Sequence, residues 1–363
     1  MSKYLFSLTP TGRFFFGGDM TFSVNGEKSE FSSYIIRSNM FPQQTSLLGM
    51  LRFLILRNDK TVFNQEAQEI SNREGAKKLI GPKSFTASAD GSLGDFGKIK
   101  SLGPCHLQEK KDYLWTDLEM IPKDESLNVS FPENATQQAI INGREVDIPQ
   151  MDYDPKTYSS TLYHAVDPSG KEKDIFIEDI ANGIDRDIKT GKVEDNSLFK
   201  KISYRLNDGF RFAFYAEVEL DGFENYSGQL VSVGGDSSQF VVGIEKCTDE
   251  GQEIVGIGKR IVLTSPTYLT KKDFLDETGG NLVRYAITDT MPFKCMQTET
   301  DKVKAYNKRN QMYGYSEQRF LFVPGSVFYF KSEEDAKAFA NGIESHADFR
   351  QIGYNHYIIK SYN

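Results

Sequence analysis

Residues 210–220, Phe210-Arg211-Phe212-Ala213-Phe214-Tyr215-Ala216-Glu217-Val218-Glu219-Leu220, alternate in character along most of their length. A period of two places every second side chain on the same side of an extended strand, so the segment needs a sheet with one face in a core. Residues 44–57 obey a different period. Leu47, Met50, Leu51 and Leu54 fall on one stripe of a 3.6-residue helix. Thr45, Gly49 and Arg52, at i, i+4 and i+7, take the opposite face, where a small residue between a hydroxyl and an arginine permits close approach by another molecule. Pro42 precedes the helix, where its missing N–H costs little. Strand and helix periods in one chain imply a mixed α and β fold.

Other segments fill in the order. Residues 3–16 read as an opening strand ending in Phe14-Phe15-Phe16 before Gly17-Gly18. Residues 58–180 are poorly periodic, broken at Gly81-Pro82 and Gly103-Pro104, and imply long loops, a protruding hairpin, an insertion that meets a partner, or strands hidden by a weak pattern. Ile175-Phe176-Ile177 reads as a short strand and Gly234-Gly235 as a tight turn before a strand at 239–245. Further strands are expected at 261–263, 320–330 and 352–359. Ser332 caps a helix over Glu333–Ala340, with Asn341-Gly342 as its stop. This order fits an α+β fold of two ferredoxin-like sandwiches: an N-terminal domain over 1–248, with an insertion at about 60–175, and a C-terminal domain over 249–363. No internal repeat stands out.

Composition narrows the function. Among 363 residues, 43 Lys and Arg face 51 Asp and Glu, a net charge of −8. A free-standing nucleic-acid binder is normally basic, because phosphate contacts supply most of its affinity. An acidic body with one basic groove, or a subunit meeting basic partners, remains compatible. The 27 Phe and 18 Tyr suit sheet cores; some such rings can stack on bases. Cys105, Cys247 and Cys295 are odd in number and far apart, which reads as reduced thiols in a cytoplasmic protein. No apolar run approaches membrane-spanning length.

Catalytic signatures are absent from the sequence. His106, His164, His346 and His356 show no metal-ligand spacing, and there is neither a nucleophile elbow nor a phosphate loop. Gly234-Gly235-Asp236 lacks the second carboxylate that two-metal cyclase chemistry requires. No enzyme activity, cofactor or metal is expected.

Four segments, taken in order, resemble one family. Phe41-Pro42-Gln43-Gln44-Thr45-Ser46-Leu47-Leu48-Gly49-Met50-Leu51-Arg52 is similar to the helix start of the RAMP proteins of CRISPR systems. Gly183-Ile184 through Thr190, with Asn196-Ser197-Leu198-Phe199, resembles their glycine–isoleucine strand and turn. Leu230-Val231-Ser232-Val233-Gly234-Gly235-Asp236 and Val323-Pro324-Gly325-Ser326-Val327 resemble two segments of one branch, the third subunit of the type III-B, or Cmr, effector complex. Asp236-Ser237-Ser238-Gln239 departs from that branch's acidic-then-basic turn. Of its glycine-rich C-terminal loop only Gly353 remains.

The resemblance implies RRM-like RAMP domains and a non-catalytic subunit of a hetero-oligomeric complex in antiviral defence. It would grip the 5′ tag of guide RNA and bridge a Cas10-like large subunit to the backbone RAMP subunits, with no membrane association. The residues expected to meet RNA are Arg37, Ser38, Gln43, Gln44, Thr45, Gly49, Arg52, Arg186, Lys189, Gly234, Gly235, Ser237 and Gln239. Arg37, Arg52, Arg57 and Lys60 against Asp59 give a local positive charge, and the amides at the helix start suit phosphate. The alternatives are a tag-binding subunit of a type III-A or III-D complex, a stand-alone RAMP endoribonuclease that processes guide precursors, and a scaffold that binds no RNA.

Overall fold

The computed structural model describes residues 2–18, 20–25, 30–109, 112–113, 129–130, 138–141, 144–147, 164–166, 172–186, 190, 193–234, 238–247, 256–301 and 314–360. Along the chain come β1 (Ser2–Pro10), β2 (Met20–Asn25), β3 (Glu30–Arg37), α1 (Gln44–Asn58) and α2 (Arg73–Ile80). They are followed by β4 (Ile99–Leu102), β5 (His106–Gln108), β6 (Phe176–Arg186), β7 (Val193–Leu206), β8 (Arg211–Val218), β9 (Leu230–Ser232) and β10 (Gln239–Lys246). The remainder holds β11 (Arg260–Leu263), β12 (Val283–Ile287), β13 (Thr290–Phe293), β14 (Arg319–Phe322), β15 (Val327–Phe330), α3 (Glu333–Ser345), α4 (Ala347–Gln351) and β16 (Tyr357–Lys360). The fold is α+β and dominated by sheet.

The largest sheet runs β9-β10-β1-β8, and β4 and β5 pair in succession with the far side of β8. All its pairings are antiparallel. The alternation at 210–220 is met in β8. Phe212, Phe214, Ala216 and Val218 are buried, together with Tyr4, Phe6 and Leu8 of β1 and Phe240, Val242 and Ile244 of β10. Leu47, Leu51 and Leu54 of α1, each fully buried, join the same core. A second antiparallel sheet runs β12-β15-β11-β16, with Phe339 and Ile343 of α3 buried in its core. A third, β6-β7-β3-β2, is antiparallel except where β7 meets β3.

Several sequence expectations need correction. The opening strand stops at Pro10, and Phe14 makes only an isolated bridge to Tyr204. Residues 99–108, placed within an insertion, supply β4 and β5 of the largest sheet; Gly103-Pro104 interrupts them, and Gly103 N–H still donates to Tyr215 O at 2.7 Å. Helix α2 was not foreseen; Asn72 caps it by accepting from Gly75 N–H, and Gly81, at φ 77°, ends it. The strand at 320–330 is two strands in different sheets, separated at Pro324-Gly325. Helix α3 runs through Asn341-Gly342 because Ile343, one turn beyond Phe339, is also buried. Gly342 lets the helix approach Asp273, whose Cβ lies 3.1 Å from where a glycine-replacing Cβ would stand.

The expected boundary at 248/249 runs through a shared core. Phe293, Leu321, Phe349, Ile352 and Tyr354 pack in one cluster with Phe6, Leu51 and Phe212. Residues 114–128 and most of 142–163 lie outside the described residues.

Candidate nucleic-acid interface

The two halves of the glycine–isoleucine segment pair with each other in the β6–β7 hairpin, Gly183 opposite Phe199 and Ile184 opposite Leu198. Gly183 leaves room for the Phe199 ring, which a Cβ would meet at 2.1 Å. At the base of the hairpin, Phe14-Phe15-Phe16 crosses under it. Phe14 and Phe16 are buried, with ring centroids 4.8 Å apart, and pack on Phe212 and Phe240. Phe15 is half-buried, and the Lys201 ammonium sits 4.2 Å from its ring centroid.

Directly paired and diagonal residues on neighbouring strands share a face. Lys201 and Arg205 of β7 therefore lie with Asp179 of β6 on one face of the hairpin. Arg13 reaches Asp179 at 3.4 Å and Arg205 reaches it at 3.5 Å, with the two arginines 62% and 53% exposed. Burial, and then the nearby Arg13 charge, lower the Lys201 ammonium below its ordinary range. Lys201 over the Phe15 ring thus adjoins a carboxylate, Asp179, that is shared by Arg13 and Arg205. Exposed ion pairs of this kind are worth about 0–1 kcal/mol, so exchanging Asp179 for an incoming phosphate costs little.

The structure brings some expected residues to this place. Ser38 is buried; its Oγ accepts from Phe16 N–H at 2.8 Å and donates to Asn39 O at 2.7 Å. Gly234, at φ 84°, packs on the same segment, where a Cβ would come within 2.6 Å of Phe15 O. Ser238 Oγ accepts from Phe15 N–H at 2.9 Å. Gln239 is exposed, and its carbonyl accepts from Thr11 N–H at 3.0 Å. Gly235, Ser237 and Lys189 lie outside the described residues, and of Arg186 the structure describes only a backbone position at the end of β6. Arg37 is close by but on the other face of the hairpin, bonded to Glu178 and, at 2.9 Å, to the Tyr204 hydroxyl.

The α1 residues are corrected. Gln44 is 2% exposed, and its amide donates to Gly103 O at 3.0 Å and Gly353 O at 2.9 Å. The Tyr354 hydroxyl is buried beside the Gln44 and Thr45 amides; burial raises it above the ordinary phenol range. The helix start therefore faces protein rather than an open phosphate site. Arg52 does not share an open face with Gly49. It is 8% exposed, and its Nε donates to Ile80 O at 2.9 Å. Burial lowers its guanidinium to about 10. Arg57 is tied to Leu230 O and Gln229. The charge run at 37–60 consequently forms no single groove. Gln43 and Thr45 are half-buried, with Thr45 Oγ1 3.4 Å from Gln43 Oε1, and Gly49 is exposed with nothing near it.

Two resemblance segments do meet. Phe41-Pro42 and Val323-Pro324 line a pocket of about 110 Å³ with Met291 and Tyr354. Phe15, Lys201, Arg13 and Arg205 were missed in sequence because the segment after β1 and the strand β7 that carry them are far apart along the chain. The only signal was the unusual Phe14-Phe15-Phe16 triplet next to Arg13.

A family model described as CRISPR-associated protein (Cas_Cmr3) matches residues 160–361. The chain belongs to this family. The expected kinship with the third subunit of type III-B complexes thus holds. The match includes the β6–β7 hairpin, the turn at Gly234 and the Val323-Pro324 segment. No curated protein matches. Among solved structures, the chain is similar to a chain of the type III-B Cmr-beta complex bound to cognate target RNA and AMPPnP, at 13% identity and a TM-score of 0.49, over 98% of this chain and 96% of that one. It is also similar to oligomeric Cmr4 from Pyrococcus furiosus, at 13% identity and a TM-score of 0.22, over 69% of this chain and 100% of that one. Among the described residues, no helix is long and apolar enough to cross a membrane.

Proposed function

We propose that this Cmr3-family chain is a non-catalytic, cytoplasmic subunit that holds the 5′ tag of guide RNA and bridges a Cas10-like large subunit to the backbone RAMP subunits. The observation that carries the RNA part is that Lys201, over the half-buried Phe15 ring, lies on the same hairpin face as Asp179, whose carboxylate Arg13 and Arg205 share. A cationic surface with an aromatic ring suits single-stranded nucleic acid, whose phosphates take the cations while a base stacks. Two ferredoxin-like units are part of the same reading. Numbered by their order within each sheet, the strands β1, β4/β5, β8 and β10 lie 4-1-3-2, and so do β11, β12, β15 and β16. That antiparallel order supports a ferredoxin-like assignment for both.

The test is to assemble the complex with the triple variant Arg13→Ala, Lys201→Ala and Arg205→Ala and to titrate guide-RNA retention against salt. Each lost phosphate contact should flatten the log–log salt slope by about 0.7, with the protein partners still co-purifying. An unchanged slope would remove the RNA role from this surface. Metal-independent cleavage of guide precursor by the isolated chain would replace the reading with an endoribonuclease.

A further inference from the structure

The largest sheet has one face on α1 and a second face turned away from it. On β1 and its neighbours, Tyr4, Phe6 and Phe214 point into the core. Lys3, Leu5, Tyr215, Glu217 and Glu245 alternate with them onto the other face, Lys3 opposite Glu217 and Leu5 opposite both Tyr215 and Glu245. Helix α4 flanks this face and closes a groove of about 910 Å³. Four cations line it, Lys3, Lys100, Lys246 and Arg350, against two carboxylates, Glu217 and Glu245. The local balance is positive in a chain whose net charge is −8. On the groove's sheet side Lys3 Nζ lies 5.2 Å from the Tyr215 ring centroid. The His106 ring stacks on Tyr215 with centroids 6.0 Å apart and planes 22° apart, which fixes the tyrosine's orientation.

We infer that this groove is a second nucleic-acid surface, which takes a short stretch of single-stranded RNA by its phosphates and stacks one base on Tyr215. The inference rests on the reading that the chain holds RNA, but it concerns a different face of a different sheet. The volume lies at the upper end of the about 300–1,000 Å³ typical of ligand clefts, so it suits several linked groups rather than one base. Charge complementarity alone would also admit an acidic peptide. The ring decides for RNA: a base has a planar face for Tyr215, whereas Asp and Glu side chains would use the cations and leave the ring unused. Lys3 lies over the Tyr215 ring face. On binding, the base takes that place and the lysine moves to the neighbouring phosphate. The arrangement joins a cationic track to a stacking platform, as sequence-tolerant strand binders do.

The experiment titrates the full chain with fluorescein-labelled oligouridylate carrying 4-thiouridine, then maps photo-crosslinks. Crosslinks at Tyr215 or its neighbours on β8, together with about tenfold weaker binding for Tyr215→Leu and near-parental binding for Tyr215→Phe, are the expected result. Lys3→Ala, Lys100→Ala and Lys246→Ala together should reduce the salt slope by about 2. Near-ultraviolet circular dichroism of each variant checks that the fold is intact. Crosslinks confined to Phe15 and β7 would overturn the groove and leave the first surface standing. Absence of any crosslink or binding would overturn both. Polyglutamate displacing the RNA from the wild type and from Tyr215→Leu at the same relative concentration would assign the groove to an acidic peptide instead.

Discussion

The two 4-1-3-2 sheets are built alike but covered differently. In the first, the connection after β1 carries α1, of 15 residues, whereas the connection between β8 and β10 holds, among the described residues, a 3₁₀ turn, Phe223–Tyr226, and the short strand β9 but no α-helix. In the second, the connection after β11 holds only the 3₁₀ turn Lys271–Phe274, and the one after β15 carries α3, of 13 residues. The second sheet closes a core of its own from β11, β15, β16 and α3. The first does not: Phe349, Ile352 and Tyr354, from the segment between α3 and β16, complete it. A stretch that belongs by sequence to the second sheet thus finishes the first, and the two stand or fall together.

The sharpest way to break that comparison is Phe349→Ala. Its ring packs on Phe85, Tyr268, Phe293 and Tyr354, and truncating a buried Phe costs about 3–5 kcal/mol. Calorimetry should show one transition shifted as a whole; two separate transitions would mean that the sheets unfold independently. Next is Arg52→Glu, which removes the donor to Ile80 O and leaves a carboxylate buried without a partner, at about 3–5 kcal/mol. Arg52→Met fills similar space without a charge and should cost much less. Equal losses in urea denaturation would show that the buried carboxylate adds nothing to the loss of the Arg52 contacts. Gly353→Ala forces a side chain at φ 92° into Gln44 and Gly103, for about 1–3 kcal/mol. Its effect should shrink in a Gln44→Ala background, because one obstacle is gone.

The smallest effect concerns the second sheet alone. Asp273, inside the short turn Lys271–Phe274, accepts from Thr270 ahead of it and from His346 Nε2 at 3.0 Å. Burial works against its charge, but the His346 and Thr270 hydrogen bonds prevail and hold its carboxyl below the ordinary range. A depressed carboxylate contributes stability above its unfolded pKa, and that contribution is lost as pH falls through the folded one. Asp273→Asn should therefore cost about 1 kcal/mol at neutral pH, with the melting-temperature gap to wild type narrowing in acid. A constant gap across pH would assign the effect to shape rather than charge.

The sequence made β8 and β10 legible because each has one buried face, and α1 legible through its Leu47, Met50, Leu51 and Leu54 stripe, although burial of α1 extends beyond that stripe to Gln44, Arg52 and Ile55. Helix α2 was not legible, since only Ala76 and Ile80 of its eight residues are buried. The pattern of β4 and β5 was cut by Gly103-Pro104. The inward turn of Arg52 depends on a carbonyl in α2 and a hydroxyl at Thr300, neither visible in a helical wheel. For the same reason a charge run in sequence proved to be three separate arrangements in space, while the cations around Phe15 came together from segments with no local signature.

Gln44 carries one more consequence. Its two acceptors, Gly103 and Gly353, lie 59 and 309 residues further along the chain. At a synthesis rate of about 5–20 residues per second, the second acceptor follows the glutamine by roughly 15–60 s. Once β10 has been made, the first sheet has its strands and its helix but neither Phe349 nor Tyr354 to close over it, so apolar surface stays open until about 100 more residues have been added. Synthesis in chain order therefore makes the closing of this core a late event, set by a segment that also belongs to the second sheet.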